Sequence, residues 1–450
     1  MDLHELVAAG PTTQTARLRA GDVSATELAR ATVERIDAES SRLNAVVELL
    51  GEEATAMAAA ADRRRSAGED GPLLGVPIAV KNDLDVAGHV TGLGSRAMNR
   101  KATTDADLVA RLRELGAVVV ASTALPELAV YGFTESAATG VTRNPHDTGH
   151  TPGGSSGGSA ALVAAGAVGL ATASDGAGSI RIPAACCGLV GFKPTHGTVP
   201  SSGGWIGLST QGGLTRTVAD SALYLDAVGT FATSLTSAAA GGGPEPLRIG
   251  LSTSASAATR AEPLDPEVTG AMRRAADALA AAGHDVREVE IPYGLDAKAL
   301  TVRYLAGIRE VAGTVDDPAL LERRTRSIAR LGRPFGRGAI DAACRAGHRW
   351  GATVHDTAGV DVFLTPVMSG PALPVGHFDG RGALRTVLSM NAFYPYTAQW
   401  NHAGTPAVSL PAGTSRSGLP LAVQLIARRG DDADLMALAA QLEAGLGTDG

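Results

Sequence analysis

The stretch from Thr151 to Thr195 constrains this chain more than any other. It reads Thr151-Pro-Gly-Gly-Ser-Ser-Gly-Gly-Ser159, then a run of small residues, then Ser174-Asp-Gly-Ala-Gly-Ser-Ile-Arg-Ile-Pro183, and closes on Gly191-Phe-Lys-Pro-Thr195. Ser155 and Ser156 sit between two glycine pairs, and Ser179 follows Gly176-Ala177-Gly178. Glycine lets backbone approach backbone or ligand and presents N–H groups without side-chain bulk. A run of such N–H groups just before a serine is what an oxyanion hole requires. A pair of Gly-rich turns fits either cluster alone. Two clusters joined by an Ala-rich helix point to a site.

Pattern matches that would place the chemistry elsewhere fail on context. Gly153-Gly-Ser155-Ser-Gly157 has the spacing of a nucleophile elbow, which needs a strand running straight into it. Asn144-Pro-His-Asp-Thr-Gly-His-Thr-Pro152 cannot supply a central strand. A phosphate loop needs lysine where Ser159 stands, and a dinucleotide fingerprint needs glycine where Arg181 stands.

Around this stretch, helix-like and strand-like segments alternate, which predicts an α/β fold with a largely parallel sheet. Gly75-Val-Pro-Ile-Ala-Val80 reads as a buried strand ending at Lys81, and Ala117–Ala121 as one covered on both faces. Further strands are expected at 44–50, 189–192, 247–251, 284–291, 362–365, 407–410 and 419–426. Helices are expected through most of 1–70, with a capping box at Ser24–Glu27, and at 105–115, 159–171, 217–228, 265–282, 297–358 and 432–446. The one linker-like stretch is 238–246, with Gly241-Gly-Gly-Pro-Glu-Pro246. Because strands resume directly after it, residues 1–450 are expected to form a single domain with 70–230 as its catalytic core.

Composition excludes several classes. The formal net charge is −7 with no basic stripe, so nucleic acid is not an expected partner. Ala160–Ala173 is too short and too rich in glycine and alanine to span a bilayer, so no membrane association is expected. The opening Met-Asp-Leu-His-Glu-Leu lacks a basic region followed by an apolar one, so no secretory signal is expected. Three cysteines, Cys186, Cys187 and Cys344, cannot make a disulfide framework. They read as buried small side chains in a reducing, cytoplasmic protein. No His/Cys spacing suggests a metal, and no cofactor is expected.

Lysine usage carries information of its own. Lys+Arg total 39, yet lysine occurs only at Lys81, Lys101, Lys193 and Lys298. In a chain that uses arginine for ordinary surface charge, a lysine at the end of a buried strand stands out. Burial lowers a lysine pKa, and a neutral amine can act as a base where arginine cannot. A strand-end lysine that snorkels to water satisfies the same pattern.

Taken in order, Gly75-Val-Pro-Ile-Ala-Val-Lys81, Gly153–Ser159, Asp175–Pro183, Cys187–Thr195, Gly213–Asp220, Trp400–Val408 and Gly418–Gln424 resemble the amidase signature family. The resemblance covers most of the chain and rests on long motifs. It implies a three-layer α/β/α fold with a large central mixed β-sheet. It also implies a catalytic triad of Ser179 as nucleophile, Ser155 as a serine preceded by a cis peptide, and Lys81 as base. The 24-residue separation of the two serines agrees with the family pattern. Gly176, Ala177, Gly178 and Ser179 then supply oxyanion N–H groups, with Asp175 and Arg181 bracing the loop as an ion pair. Family members commonly carry glycine where this chain has Ala177, and a positive φ there would be strained. Ser156, Ser159 and Lys193 are read as structural.

The implied activity is a serine hydrolase that cleaves C–N bonds of neutral, aryl-bearing amides through an acyl-enzyme on Ser179. Esters and carbamates (urethanes) are further expected substrates, since some members of the family are aryl acylamidases and urethanases. The alternative is the glutaminase subunit of an amidotransferase complex, which would need partner subunits and a charged pocket. Expected partners are small-molecule substrates, with a homo-oligomer left open. Candidate pocket residues are Tyr131, Trp205, Phe393, Tyr394, Tyr396 and Gln399.

Overall fold

The apolar runs at 75–80 and 117–121 become neighbouring strands with every residue buried. The computed structural model describes residues 1–201, 204–255 and 261–447. Residues 202–203 of the expected 70–230 core lie outside the described residues, as do 256–260 and 448–450 of the 1–450 span.

The strands are β1 (Val46–Leu49), β2 (Pro77–Lys81), β3 (Val118–Thr123), β4 (Glu135–Ser136), β5 (Gly140–Val141), β6 (Ala171–Asp175), β7 (Val190–Lys193), β8 (Thr210–Thr215), β9 (Arg248–Leu251), β10 (Asp285–Glu288), β11 (Val362–Pro366), β12 (Ala407–Thr414) and β13 (Pro420–Ile426). Apart from the small β4–β5 hairpin they join one eleven-stranded sheet in the order β1-β3-β2-β6-β8-β7-β12-β13-β11-β9-β10. Helices flank it. The helix Ala25–Leu43, with the expected capping box, packs over β1, β2 and β3. The helix Pro266–Ala281 lies over β11, β12 and β13.

The sheet is mixed, and less parallel than helix–strand alternation suggests. β3-β2-β6 and β11-β9-β10 pair parallel, while the middle from β6 to β11 is antiparallel throughout. Periodicity reports the type of an element but not the direction of its partner. Strands from both sides of 238–246 enter this one sheet, the two sides meeting at the β7–β12 pair.

Two central strands, β6 and β8, are absent from the sequence expectations. Ala171-Thr-Ala-Ser-Asp175 has little β-branched character, and β8 carries Gly212-Gly213, which disfavour a strand on propensity. Packing explains both glycines. A Cβ on Gly212 would meet Ile180 Cδ1 and the Phe192 carbonyl at 2.8 Å, and one on Gly213 would meet the Tyr224 ring at 2.8 Å. Close approach of neighbours decides these positions.

Among the described residues, no helix is long and apolar enough to cross a membrane. All three cysteines are free thiols, with Cys186 and Cys187 buried.

Candidate active site

β2 and β6 lie side by side and parallel, so their carboxyl ends emerge at one edge of the sheet. Ligands in α/β sheets bind beyond such ends. β2 ends on Lys81, and two residues later comes Asp83. β6 ends on Ser174-Asp175 and runs into the Gly176–Ser179 loop. Register is locked beside the site by the Lys81 N–H, which donates to Thr172 Oγ1 at 2.9 Å.

Lys81 is fully buried. Its Nζ lies 2.8 Å from Ser155 Oγ, 2.7 Å from Ser174 Oγ and 3.2 Å from Asp83 Oδ2. Ser174 Oγ in turn donates to Asp83 Oδ2. Burial, the largest influence, pulls the Lys81 amine below the ordinary lysine range, and the charges of Asp83 and Asp175 pull it back. Snorkelling to water is therefore not what this lysine does. Ser174 and Asp83 were not singled out from sequence. The available signal was their position, one residue before Asp175 and two after Lys81.

Ser155 is buried and stands in the loop leading into the helix Gly157–Ala164, and the Gly154–Ser155 peptide is cis. The glycines before it are required by space. A Cβ on Gly154 would meet the Phe133 nitrogen at 2.7 Å, and one on Gly153, at φ +78°, would meet Pro183 Cα at 2.9 Å. Ser159 is structural in geometry: its Oγ bridges Thr123 Oγ1 at 2.7 Å and the Thr172 carbonyl at 2.9 Å, under β3 and β6. Ser156 Oγ reaches only the Ser174 carbonyl, at 3.4 Å. Lys193 is the second buried lysine, pushed down to about 7 by burial, but its Nζ donates to the Pro194 carbonyl at 3.0 Å and faces neither serine.

The Ser179 loop is held from below by Asp175. Its carboxylate accepts from the Gly178 N–H at 2.6 Å, from the Ile180 N–H at 3.2 Å, and from Arg181 Nε and Nη2 at 3.0 Å each. Burial alone would raise the Asp175 pKa. The Arg181 charge and hydrogen bonds, with Lys193 and Asn401, outweigh it and hold the carboxyl well below the usual range. Arg181 is fully buried and completes its donors on the Thr397 carbonyl, Gln424 Oε1 and Asn401 Oδ1. A buried pair needs this satisfaction, because desolvation otherwise exceeds the Coulomb gain. Thr397 Oγ1 also donates to the Ala177 carbonyl at 2.7 Å.

This bracing sorts the loop N–H groups. That of Gly178 is committed to Asp175, whereas those of Gly176, Ala177 and Ser179 have no intramolecular acceptor among the described residues. Gly178 carries the left-handed conformation, φ +123°, and a Cβ there would strike Thr397 Oγ1 at 2.4 Å. Ala177 is not among the positive-φ residues. The strain that a positive φ would bring to Ala177 does not arise, since the conformation that needs glycine falls one residue later, at Gly178.

Ser155, Ser174 and the half-buried Ser179 open into a cavity of about 410 Å³. Its walls are largely apolar and include Leu128, Trp205, Tyr304, Val387 and Met390. Of the expected pocket residues, Tyr131, Trp205, Tyr394 and Gln399 line it. Phe393 and Tyr396 do not: Phe393 packs edge-on against Tyr394, and the Tyr396 carbonyl accepts from Gln424 and Trp400. The charged side chains on the described wall are Asp83, engaged with Lys81, and the exposed Lys298.

Comparison with known proteins matches residues 27–436 to the amidase family. The chain is 42% identical to a protein of Mycobacterium tuberculosis named as an amidase, AmiB2, over 98% of this chain and 97% of that one. It is 34% identical to a component of a Geobacter glutamyl-tRNA(Gln) amidotransferase, over 95% of each. Among solved structures, it resembles a 6-aminohexanoate cyclic dimer hydrolase with a TM-score of 0.84 and 30% identity, covering 99% and 98% of the two chains. A bacterial aryl acylamidase superposes with a TM-score of 0.85 and 25% identity, covering 98% and 97%.

Proposed function

The chain belongs to the amidase signature family, whose members act on amides, and on that premise we propose that it hydrolyses neutral, aryl-bearing amides through an acyl-enzyme on Ser179. The observation that carries this reading is the 2.8 Å contact between the buried Lys81 amine and Ser155, on the wall of the same cavity as Ser179. We take the whole chain to work as one domain.

A neutral Lys81 has two N–H groups and one lone pair. The N–H groups face Ser174 Oγ and Asp83 Oδ2, and the lone pair is left for the Ser155 hydroxyl. Ser155 passes its proton to Lys81 as it takes that of Ser179, and Ser179 Oγ attacks the carbonyl carbon. The oxyanion forms beside the free N–H groups of Gly176, Ala177 and Ser179. Removing one such donor typically costs about 3–4 kcal/mol of transition-state stabilisation. Ser155 then returns a proton to the leaving nitrogen, the C–N bond breaks, and water hydrolyses the ester on Ser179. The same sequence of steps accepts an ester or a carbamate, because the hole meets only a carbonyl oxygen.

The glutaminase reading needs a site for both the ammonium and the carboxylate of free glutamine. The described wall has one carboxylate, already occupied by Lys81, and one exposed lysine. The purified chain is therefore expected to turn over a nitroanilide, and also a nitrophenyl ester and an N-aryl carbamate, with glutamine left intact. A clear preference for glutamine in that matched panel would overturn the neutral-substrate reading and leave the serine chemistry standing.

The Asp83 charge raises the Lys81 pKa against burial. Asp83→Asn removes that charge, so Lys81 stays deprotonated to lower pH. The acid limb of the kcat/KM profile is expected to move to lower pH. An acid limb that stays in place, or moves to higher pH, would show that Lys81 is not the titrating base.

A further inference from the structure

The segment 204–207 adopts a conformation its residues disfavour. Trp205 and Ile206 both have φ +53°, between Gly204 at +102° and Gly207 at +69°. A bulky residue and a β-branched residue in the left-handed region are genuine outliers, and such residues persist where surrounding structure over-determines them. Here the helix Leu300–Ala312 does so. The Ile206 N–H donates to Glu310 Oε2 at 3.0 Å, and the Ile206 carbonyl accepts from Arg303 Nη2 at 3.0 Å. Arg303 is buried and also donates to the His402 carbonyl at 3.0 Å. Between these anchors the helix carries Gly307, where a Cβ would meet Trp205 Cα at 2.9 Å and its carbonyl carbon at 3.1 Å. Only a residue without a side chain lets the turn sit this close.

The result is an aromatic corner beside the oxyanion loop. A Cβ built on Gly176 would lie 3.7 Å from Trp205 Cδ2, so the indole is in van der Waals reach of that loop. The Tyr304 ring stands 5.6 Å from the indole, tilted by 49°, and is fixed by its hydroxyl donating to the Val130 carbonyl at 2.9 Å. Both rings face the cavity that holds Ser155 and Ser179. We propose that Trp205 and Tyr304 form a subsite for a planar ring bonded directly to the scissile amide, on its nitrogen or its carbonyl carbon. Aromatic rings prefer offset-stacked or tilted partners at about 4.5–7 Å between centroids, and a ring one bond (on carbon) or two bonds (on nitrogen) from a carbonyl carbon held beside Gly176 has the indole, in van der Waals reach of that loop, as its aromatic neighbour. The proposal rests on the reading of Ser179 as nucleophile for the position of the carbonyl.

The test compares acetanilide and benzamide with propionamide. In Trp205→Ala, the ratio of aryl to aliphatic kcat/KM is expected to fall about 10-fold or more, mainly through KM, and Trp205→Phe is expected to restore most of it. Gly307→Ala keeps the indole but pushes the turn off the helix, and alanine suits a helix interior better than glycine. It is expected to lower the same ratio. A ratio unchanged in Trp205→Ala, or equal losses on all three amides, would overturn the subsite. Calorimetric binding of acetanilide in the Ser179→Ala background, with and without Trp205→Ala, reads the ring contact without turnover. A roughly 10-fold weaker Kd in the double variant supports the subsite even if Ser179 proves not to be the nucleophile, and an equal Kd overturns it.

Discussion

Ser179→Ala is expected to abolish turnover of amides and esters, by on the order of 10⁶-fold in kcat, because the acyl-enzyme cannot form. The fold should be untouched. The Ser179 hydroxyl makes no hydrogen bond to the described residues, so its loss leaves no buried partner stranded, and Tm should stay within about 1–2 °C. A serine-reactive fluorophosphonate should add one mass label to the unmodified protein, located on Ser179, and none to the variant. A label on Ser155 would transfer the nucleophile to the residue whose Gly-x-Ser-x-Gly spacing imitates an elbow.

Lys81→Arg is expected to be nearly as inactive as Lys81→Ala, each losing about 10²–10⁴-fold, the range of a positioned general base. Arginine retains the positive charge that a purely electrostatic role would need, but it cannot give up its proton at any working pH. The comparison therefore separates a base from a fixed cation. Because the site is fully buried, Lys81→Met serves as the control for size, and circular dichroism checks that each variant folds. Substantial activity in Lys81→Arg, measured on the nitroanilide, would remove Lys81 from the base role.

The four lysines show how far composition reaches. Arginine's dominance of the surface marks each lysine for attention, and two of the four, Lys81 and Lys193, are fully buried. Sequence could not separate them by burial, since both end buried strands. What separates them is the neighbour across the sheet. Lys81 lies on a strand beside β6 and meets Ser155 and Ser174, while Lys193 folds back to its own chain.

Trp205 shows the opposite case. Nothing in Gly204-Trp-Ile-Gly207 says that two residues adopt left-handed backbone, because single-residue preferences argue against it. The anchors Arg303 and Glu310 lie 97 and 104 positions from Ile206, with Gly307 between them, in a stretch that reads from sequence only as part of the helical 297–358. No local pattern could have paired them.

By itself the sequence determined the element types outside β6 and β8, the buried strand that ends at Lys81, and the glycine clusters that leave room around Ser155 and Ser179. These follow from local chemistry: apolar runs must be covered, and glycine alone fits where backbones meet. Tertiary structure alone decided the antiparallel middle of the sheet, the strands β6 and β8, and the commitment of the Gly178 N–H to Asp175. It also placed Ser174 and Asp83 around the amine and drew Thr397, Asn401 and Gln424 in to satisfy Arg181. Those residues come from strands, a helix and loops, with Gln424 lying 243 positions from Arg181. They are selected by the need to satisfy buried charge, a requirement that exists only once the chain has closed around it.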